Sequence, residues 1–272
     1  MSTPTGREPL RQADLEAAGP PAPWRFEVVT ETASTNADLL AAAAEGAAEG
    51  LVRVAEYQHG GRGRLDRSWT SPPGAGLTFS VLLRPGVPLA NWGWLPLLAG
   101  VALADTITAD TITAGGIPAR LKWPNDLLLG PRQQKAAGIL AQVGSGAVVI
   151  GIGLNVSSTL AELPVATATS LGQHGGRLDR AGILVDFLAT FATGYRDWQA
   201  AGGSAQVSGL AERYRGHCAT LGQPVAVHLP AEILQAEAVD IDDDARLIVS
   251  VEGGGRRAIA AGDVTHLRPG TG

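Results

Sequence analysis

Hydrophobic and polar positions organise the chain from Trp24 onward. "RFEVVTET" (25–32) alternates with a period of two and predicts a strand. "STN" (34–36) follows, with Ser34 or Thr35 placed to cap an alanine-rich helix over Ala37–Ala48 that Gly50 closes. "LVRVAEYQ" (51–58) predicts the next strand and leads into a run dense in glycine and arginine. "GLTFSVLL" (76–83) predicts a buried strand, and a long apolar helix is expected from Trp92 to about Thr113. That helix ends in a direct repeat, ADTIT-ADTIT (104–113), which does not keep the helical period, so part of it is expected to leave the helix.

"RLKWPNDLLL" (120–129) predicts a strand interrupted by Pro124, with "GPRQQ" as a turn. "KAAGILAQV" and "AVVIGIGLNV" predict a strand pair joined through "GSG". A helix-rich stretch is expected from Asp179 to about Arg215. From Leu221 the pattern shortens to small strands and tight polar turns, as in a small SH3-like β-barrel, with a boundary near Ala219. The expected organisation is a mobile leader over 1–23 with one helical turn near Leu10–Ala17, a main domain over 24–218 and a C-terminal domain over 219–272.

With 272 residues, 45% hydrophobic and 17% charged, the chain can bury one sizeable core and is too apolar for global disorder. Its net charge of −5 offers no broad basic face for nucleic acid, so cationic chemistry has to be local. A single cysteine, Cys218, excludes an internal disulfide framework and a cysteine-built metal cage. The leader has no secretory pattern and is too short and proline-rich for a helix-turn-helix. The most apolar run, Trp94 to Ala104, is interrupted by Pro96 and Gly100 and falls short of the ~20 residues of a membrane span. A soluble, cytoplasmic protein is expected, with no membrane or specific DNA partner.

The local charge lies in "QHGGRGRLDRSW" (58–69). Consecutive glycines let successive N–H groups face one anion, and arginines add forked donors that match phosphate or carboxylate oxygens. The terminal tryptophan offers a flat face for a purine. On composition alone the run is equally a disordered surface loop. It has neither the Gly-Lys-Ser/Thr ending of a P-loop nor the GxGxxG spacing of a dinucleotide fold. "STN" reads as a polar ligand site or as ordinary capping, "KWPND" as emerging functional side chains or as an Asx turn, and Lys135 as a site cation or a solvated edge lysine.

Taken in order, "STN … EYQHGGRGRLDRSW … GLTFSVLL … LKWPNDLLL … KAAGIL … IGIGLNV … ATSL" resembles the biotin–protein ligases, over Trp24 to roughly Arg215 and with a similar C-terminal barrel. The resemblance implies an α+β fold, a mixed sheet with helices packed on one side. It also implies a two-step reaction. Biotin and ATP give biotinyl-5′-adenylate and pyrophosphate with Mg²⁺ assistance, and a lysine of a biotin carboxyl carrier domain then takes the biotin and releases AMP.

On the same resemblance, Ser34, Thr35, Asn36 and Gln58 correspond to the biotin pocket, and Gly61, Arg62, Gly63 and Arg64 to the adenylate loop, which also reaches biotin. Arg67 and Trp69 would serve the triphosphate and adenine. Lys135 would contact the biotin carboxylate and the α-phosphate, and Gly138 would give biotin room. Asn125 and Asn155 fall on the nucleotide side, and Asp126 would orient the incoming amine. Lys135, Arg62 and Asp126 are therefore the catalytic candidates. No protein side chain is assigned to a metal, and Mg²⁺ is expected through the ATP phosphates. Adenylation joins two anions, so positive charge and alignment suffice without a protein nucleophile.

The sequence departs from the family pattern in His59–Gly60, in a longer turn between Asp126 and Lys135, in Ala136 for a common leucine, and in lacking the DNA-binding domain of the bifunctional repressor–ligases. The rival readings are a lipoate or octanoate ligase of the same fold, a biotin-sensing DNA-binding regulator, and a module that holds the adenylate without turnover. A monomer or weak dimer is expected.

Overall fold

The structure is a computed structural model describing residues 7–19, 23–112, 119–230, 232–260 and 262–267. Seven strands form a mixed sheet in the order β1-β2-β3-β7-β6-β5-β4. β1 (Arg25–Thr32) and β2 (Leu51–Gln58) run parallel, joined by α2 (Thr35–Ala44), and every other neighbouring pair is antiparallel. β3 is Gly76–Leu83, β4 Arg120–Lys122, β5 Asp126–Leu129, β6 Gln134–Gly144 and β7 Ala147–Asn155.

Alternation along β3 divides the protein. Leu77, Phe79, Val81 and Leu83 join the main core with α3 (Leu95–Ile112) and α4 (Arg180–Ala200), whereas Leu82 joins Leu39 and Ala43 of α2 on the opposite face. The two long helices thus share one side of the sheet, and α2 alone covers part of the other. What α2 leaves open is the site described below.

Three boundaries differ from the expectations. α2 stops at Ala44, not Ala48, because Gly46 takes φ 89° and the Ala47 N–H turns back to the Ala42 carbonyl at 2.9 Å, a glycine-ended cap. "RLKWPNDLLL" is no single bent strand: β4 and β5 pair with each other, Lys122 opposite Asp126, and the cis Trp123–Pro124 bond lies in the reversal between them. The ADTIT repeat stays helical through Ile112, and Thr113 lies outside the described residues. A five-residue shift rotates the second copy by about 140° around the axis, so Ala104 is buried while its counterpart Ala109 is exposed.

Neither Pro96 nor Gly100 interrupts the apolar run. Pro96 stands in the first turn of α3, where a missing N–H costs no hydrogen bond, and Gly100 lets Leu121 pack close to the helix. Leu89–Ala109 is consequently long and apolar enough for a membrane span, longer than expected, but 67% of it is buried inside the protein, as a core helix is.

The C-terminal strands β8 (Pro224–His228), β9 (Ile233–Ile241), β10 (Leu247–Val251), β11 (Arg256–Ile259) and β12 (Asp263–His266) form an antiparallel sheet in the order β11-β10-β9-β8-β12. It docks on the main domain through Trp94, Trp123 and the helix that precedes it. The core runs unbroken into Val225, Val227 and Leu247, and the Trp94 and Trp123 indoles donate to the Asp243 and Ala245 carbonyls at 2.7 and 3.1 Å. This docking brings β12 to the rim of the open face.

The leader, expected to be mobile, carries α1 (Gln12–Ala17), with Leu15 fully buried in the main core. Arg180 donates to the Glu8 carbonyl at 2.6 Å, and Leu10 N–H donates to Glu56 at 2.8 Å. α5 (Leu210–His217) leads into the C-terminal sheet.

Candidate active site

The open face of the sheet is floored by glycine. Gly138 of β6 pairs with Gly153 of β7, and Gly151 lies two residues further along the same face. The absence of side chains there leaves a cavity of about 130 Å³, which opens beside Lys135 into a cleft of about 1290 Å³. The Trp69 indole lies against the floor: a Cβ added at Gly153 would meet Trp69 Nε1 and Cε2 inside van der Waals contact, and Cδ1 at 2.9 Å.

At the inner end the α2 start is locked to the sheet. Thr35 N–H donates to Gln58 Oε1 at 2.8 Å, which fixes the amide so that Gln58 Nε2 faces Gly61. Thr35 Oγ1 is 2.7 Å from Ser80 Oγ, and Ser80 donates to Asn36 Oδ1 at 2.6 Å. The Asn36 amide in turn donates to the Leu140 carbonyl and Gln142 Oε1. Ser34 caps α2 through Ala37 N–H. Ser34 thus caps the helix, and Ser34, Thr35, Asn36 and Gln58 all line the cavity.

The glycine–arginine run is a flap with internal order. Trp69 N–H donates to the Gly61 carbonyl at 2.9 Å, Gly63 N–H to Arg67 at 2.6 Å, and Arg62 and Ser68 form an antiparallel bridge. Leu65, with φ 54°, turns the tip. Arg62 is exposed. Arg64 reaches inward, where burial lowers its guanidinium pKa against the pull of Asp263 and Asp126. Arg67 pairs with Asp263 of β12, which raises its pKa and ties the flap to the C-terminal sheet.

Lys135 is aimed by a bulge. β5 pairs Leu127 with Ala137 and Leu128 with Lys135, skipping Ala136. The extra residue puts Lys135 on the face of Gly138, three positions on, where strict alternation would set them on opposite faces. Its ammonium lies 2.6 Å from Asp126 Oδ1 and 5.9 Å from the Trp69 ring centroid. The Asn125 amide donates to the Ile139 carbonyl at 3.1 Å, holding the β4–β5 turn against β6. Asn155 is buried, donates to the Thr169 carbonyl at 3.0 Å, and borders the wider cleft.

Among the lining residues that sequence reasoning missed are Lys122, Asp263 and His266. Lys122 stands inside the KWPND segment and was within reach of the motif. Asp263 and His266 come from β12, which no local pattern places here. His266 Nε2 lies 3.0 Å from Thr220 Oγ1, which accepts the Trp123 N–H, and burial, with the Lys122 charge adding, pushes its pKa down to about 4.

Five cations (Arg62, Arg64, Arg67, Lys122, Lys135) thus face two carboxylates (Asp126, Asp263) in a protein of net charge −5. That local excess suits a polyanionic ligand. Among the described residues no cluster of three or more His, Cys, Asp or Glu could hold a metal.

The Biotin/lipoate A/B protein ligase family profile matches residues 26–157, and the Biotin protein ligase C terminal domain profile matches residues 220–267. The chain is 40% identical to a biotin–[acetyl-CoA-carboxylase] ligase of Mycobacterium tuberculosis, with 96% of this chain and 97% of that one covered. It is 32% identical to the bifunctional ligase/repressor BirA of Bacillus subtilis, over 86% of this chain and 71% of the other. Among solved structures, the biotin protein ligase of Aquifex aeolicus in complex with biotin and ATP superposes with a TM-score of 0.73 at 27% identity, covering 90% and 99% of the two chains.

Proposed function

The chain belongs to the Biotin/lipoate A/B protein ligase family as an ATP-dependent biotin–protein ligase, and we propose that its glycine-floored cavity seats biotin while the cation-lined cleft seats the nucleotide. The observation that carries this reading is the position of Lys135, between the cavity and the cleft, aimed by the Ala136 bulge.

In the first step the biotin carboxylate attacks the α-phosphate of ATP, and pyrophosphate leaves. Gln58 and the Thr35 backbone shape the inner end that receives the biotin rings, with Ser34 and Asn36 beside them, and Gly138 gives the bicyclic ligand room. Lys135 and Arg62 offset the repulsion between carboxylate and phosphate. Arg64 and the N–H groups of Gly61 and Gly63 hold the adenylate, Arg67 exchanges Asp263 for the polyphosphate, and Trp69 packs on the adenine. Asn125 and Asn155 fix the walls on the nucleotide side. In the second step the acceptor lysine attacks the mixed anhydride, its C–N bond forms as the C–O bond to AMP breaks, and the amine proton departs. Asp126, released from Lys135 once substrate anions engage that ammonium, orients the amine.

Mg²⁺ would be held through the ATP phosphates, with Asp126 and Asp263 the carboxylates that line the site, and it would supply charge neutralisation of the leaving pyrophosphate. The acceptor on this reading is the biotin carboxyl carrier domain of an acyl-CoA carboxylase. We place the protein in the cytoplasm, as a monomer or weak dimer, with 24–218 as the catalytic unit, 219–272 as the C-terminal domain and 1–23 as the leader. The M. tuberculosis relative, named for biotin, favours that vitamin over lipoate.

The test is incubation of labelled biotin, MgATP and a purified carrier domain with the wild-type protein and with Lys135→Ala. Transfer by the wild type and its loss in the variant are expected. Equal labelling by both would overturn the role given to Lys135.

A further inference from the structure

After β7 the chain enters a segment that borders the nucleotide cleft through Pro164, Val165 and Thr167. Its far end is fastened to the catalytic lysine: Lys135 N–H donates to the Thr167 carbonyl and Thr169 N–H to the Lys135 carbonyl, both at 2.8 Å. Its near end is fastened to the exit of the flap, where the Val156 and Ser157 N–H groups donate to the Ala75 carbonyl at 3.1 and 2.8 Å.

Arg7 of the leader lies across this junction. Its guanidinium grips Glu162 with both oxygens, at 3.0 and 2.8 Å, and donates to Ser157 Oγ and the Ser157 carbonyl at 3.1 and 2.9 Å. The Arg7 stem rests on the flap's last turn, for a Cβ at Gly74 would lie 3.0 Å from the Arg7 Cβ. Glu162 also accepts from Thr159 N–H and Oγ1 at 2.9 and 3.0 Å, so one carboxylate shapes the start of the segment. The Arg7 fork is the main cause holding that carboxyl down at about 2, with the Thr159 N–H next. The Arg7 side chain is only 11% exposed, which reduces solvent competition for these bonds.

We propose that Arg7 is a positioning residue for the nucleotide half of the reaction: it bolts the flap's exit to the segment that is hydrogen-bonded to the Lys135 backbone. The inference rests on the ligase reading. The biotin end, built from Thr35, Asn36 and Gln58, shares none of these contacts, so the effect divides between the two substrates. Arg180, Glu56 and Leu15 anchor the leader independently, so truncating Arg7 need not release it.

Biotin-dependent exchange of pyrophosphate into ATP, with calorimetric biotin binding and thermal melting, separates the outcomes. Arg7→Ala and Glu162→Ala should each raise KM for ATP about tenfold and leave the biotin Kd within about twofold. The double variant should be no worse than either single one. Arg7→Lys should recover only part of the loss, because an ammonium cannot grip both oxygens as a fork does. An unchanged KM for ATP, an equal loss for both substrates, or additive single effects would each overturn the proposal. Glu162→Gln, which keeps the shape, gives the same readout if an alanine variant does not fold. A wild-type protein without exchange would instead refute the ligase reading.

Discussion

Gly153→Ala sets two physical effects against each other. In the middle of β7, alanine ordinarily beats glycine by roughly 0.5–1 kcal/mol, since it loses less backbone freedom on folding. The new methyl, however, would stand inside contact with Trp69 Nε1 and Cε2 and 2.9 Å from Cδ1, where carbon atoms normally keep ~3.5–4.0 Å. The ring must therefore retreat by about 1 Å. It cannot take its backbone along freely, because Trp69 N–H is bound to the Gly61 carbonyl at 2.9 Å. Overpacking of this kind costs about 1–3 kcal/mol, equivalent to roughly 5- to 150-fold in an equilibrium constant. The loss is expected as a higher KM for ATP in pyrophosphate exchange, together with a lower melting temperature. A variant that melts above the wild type and keeps both KM values would show that the glycine floor and the Trp69 seat do not matter.

Gly138→Ala is the companion case: its Cβ finds Trp69 and Lys135 no nearer than 3.5 Å, so melting should rise slightly while biotin affinity falls, measured by calorimetry. Asp126→Asn should slow transfer to the carrier domain by ~10²-fold while adenylate still forms in single-turnover assays; equal slowing of both steps would remove Asp126 from the transfer step. Arg64→Gly should release biotinyl-adenylate and label lysines indiscriminately, which mass spectrometry of bystander proteins would detect; retained acceptor specificity would refute the role of Arg64 in holding the adenylate. His266, held near pH 4 against an ordinary 6.5, stays neutral in the folded protein while the unfolded chain takes up a proton. Stability should thus rise with pH between those values and be complete above them, and His266→Gln should flatten that part of the melting profile.

The elements with strong periodicity were legible in the sequence. β1, β2 and β3 begin and end where the hydrophobic pattern predicts, and the β6–β7 pair turns at Ser145–Gly146, both at positive φ. Less legible was whatever depends on distant partners. The Pro124 break reads locally as a strand defect, and only the pairing of Lys122 with Asp126 makes it a hairpin. "STN", the glycine–arginine run and KWPND were recognisable as motifs and do converge on one cavity. Asp263 and His266 could not be placed from their neighbours, because docking of the C-terminal sheet brings them to the rim. Arg7 lies in a stretch whose proline content disguises how firmly Glu162 and Ser157 hold it.

The skipped residue in β6 has a practical corollary. Strand pairing resets at Ala136, so the preceding reversal over Gly130–Gln133 can lengthen without rotating the ammonium away from its partners. Removal of a single residue between Gln134 and Ala137 would instead swing that charge toward the packed interior. An engineer seeking a place for a fluorophore or affinity tag close to the reacting groups should choose Arg132, an exposed residue of that reversal.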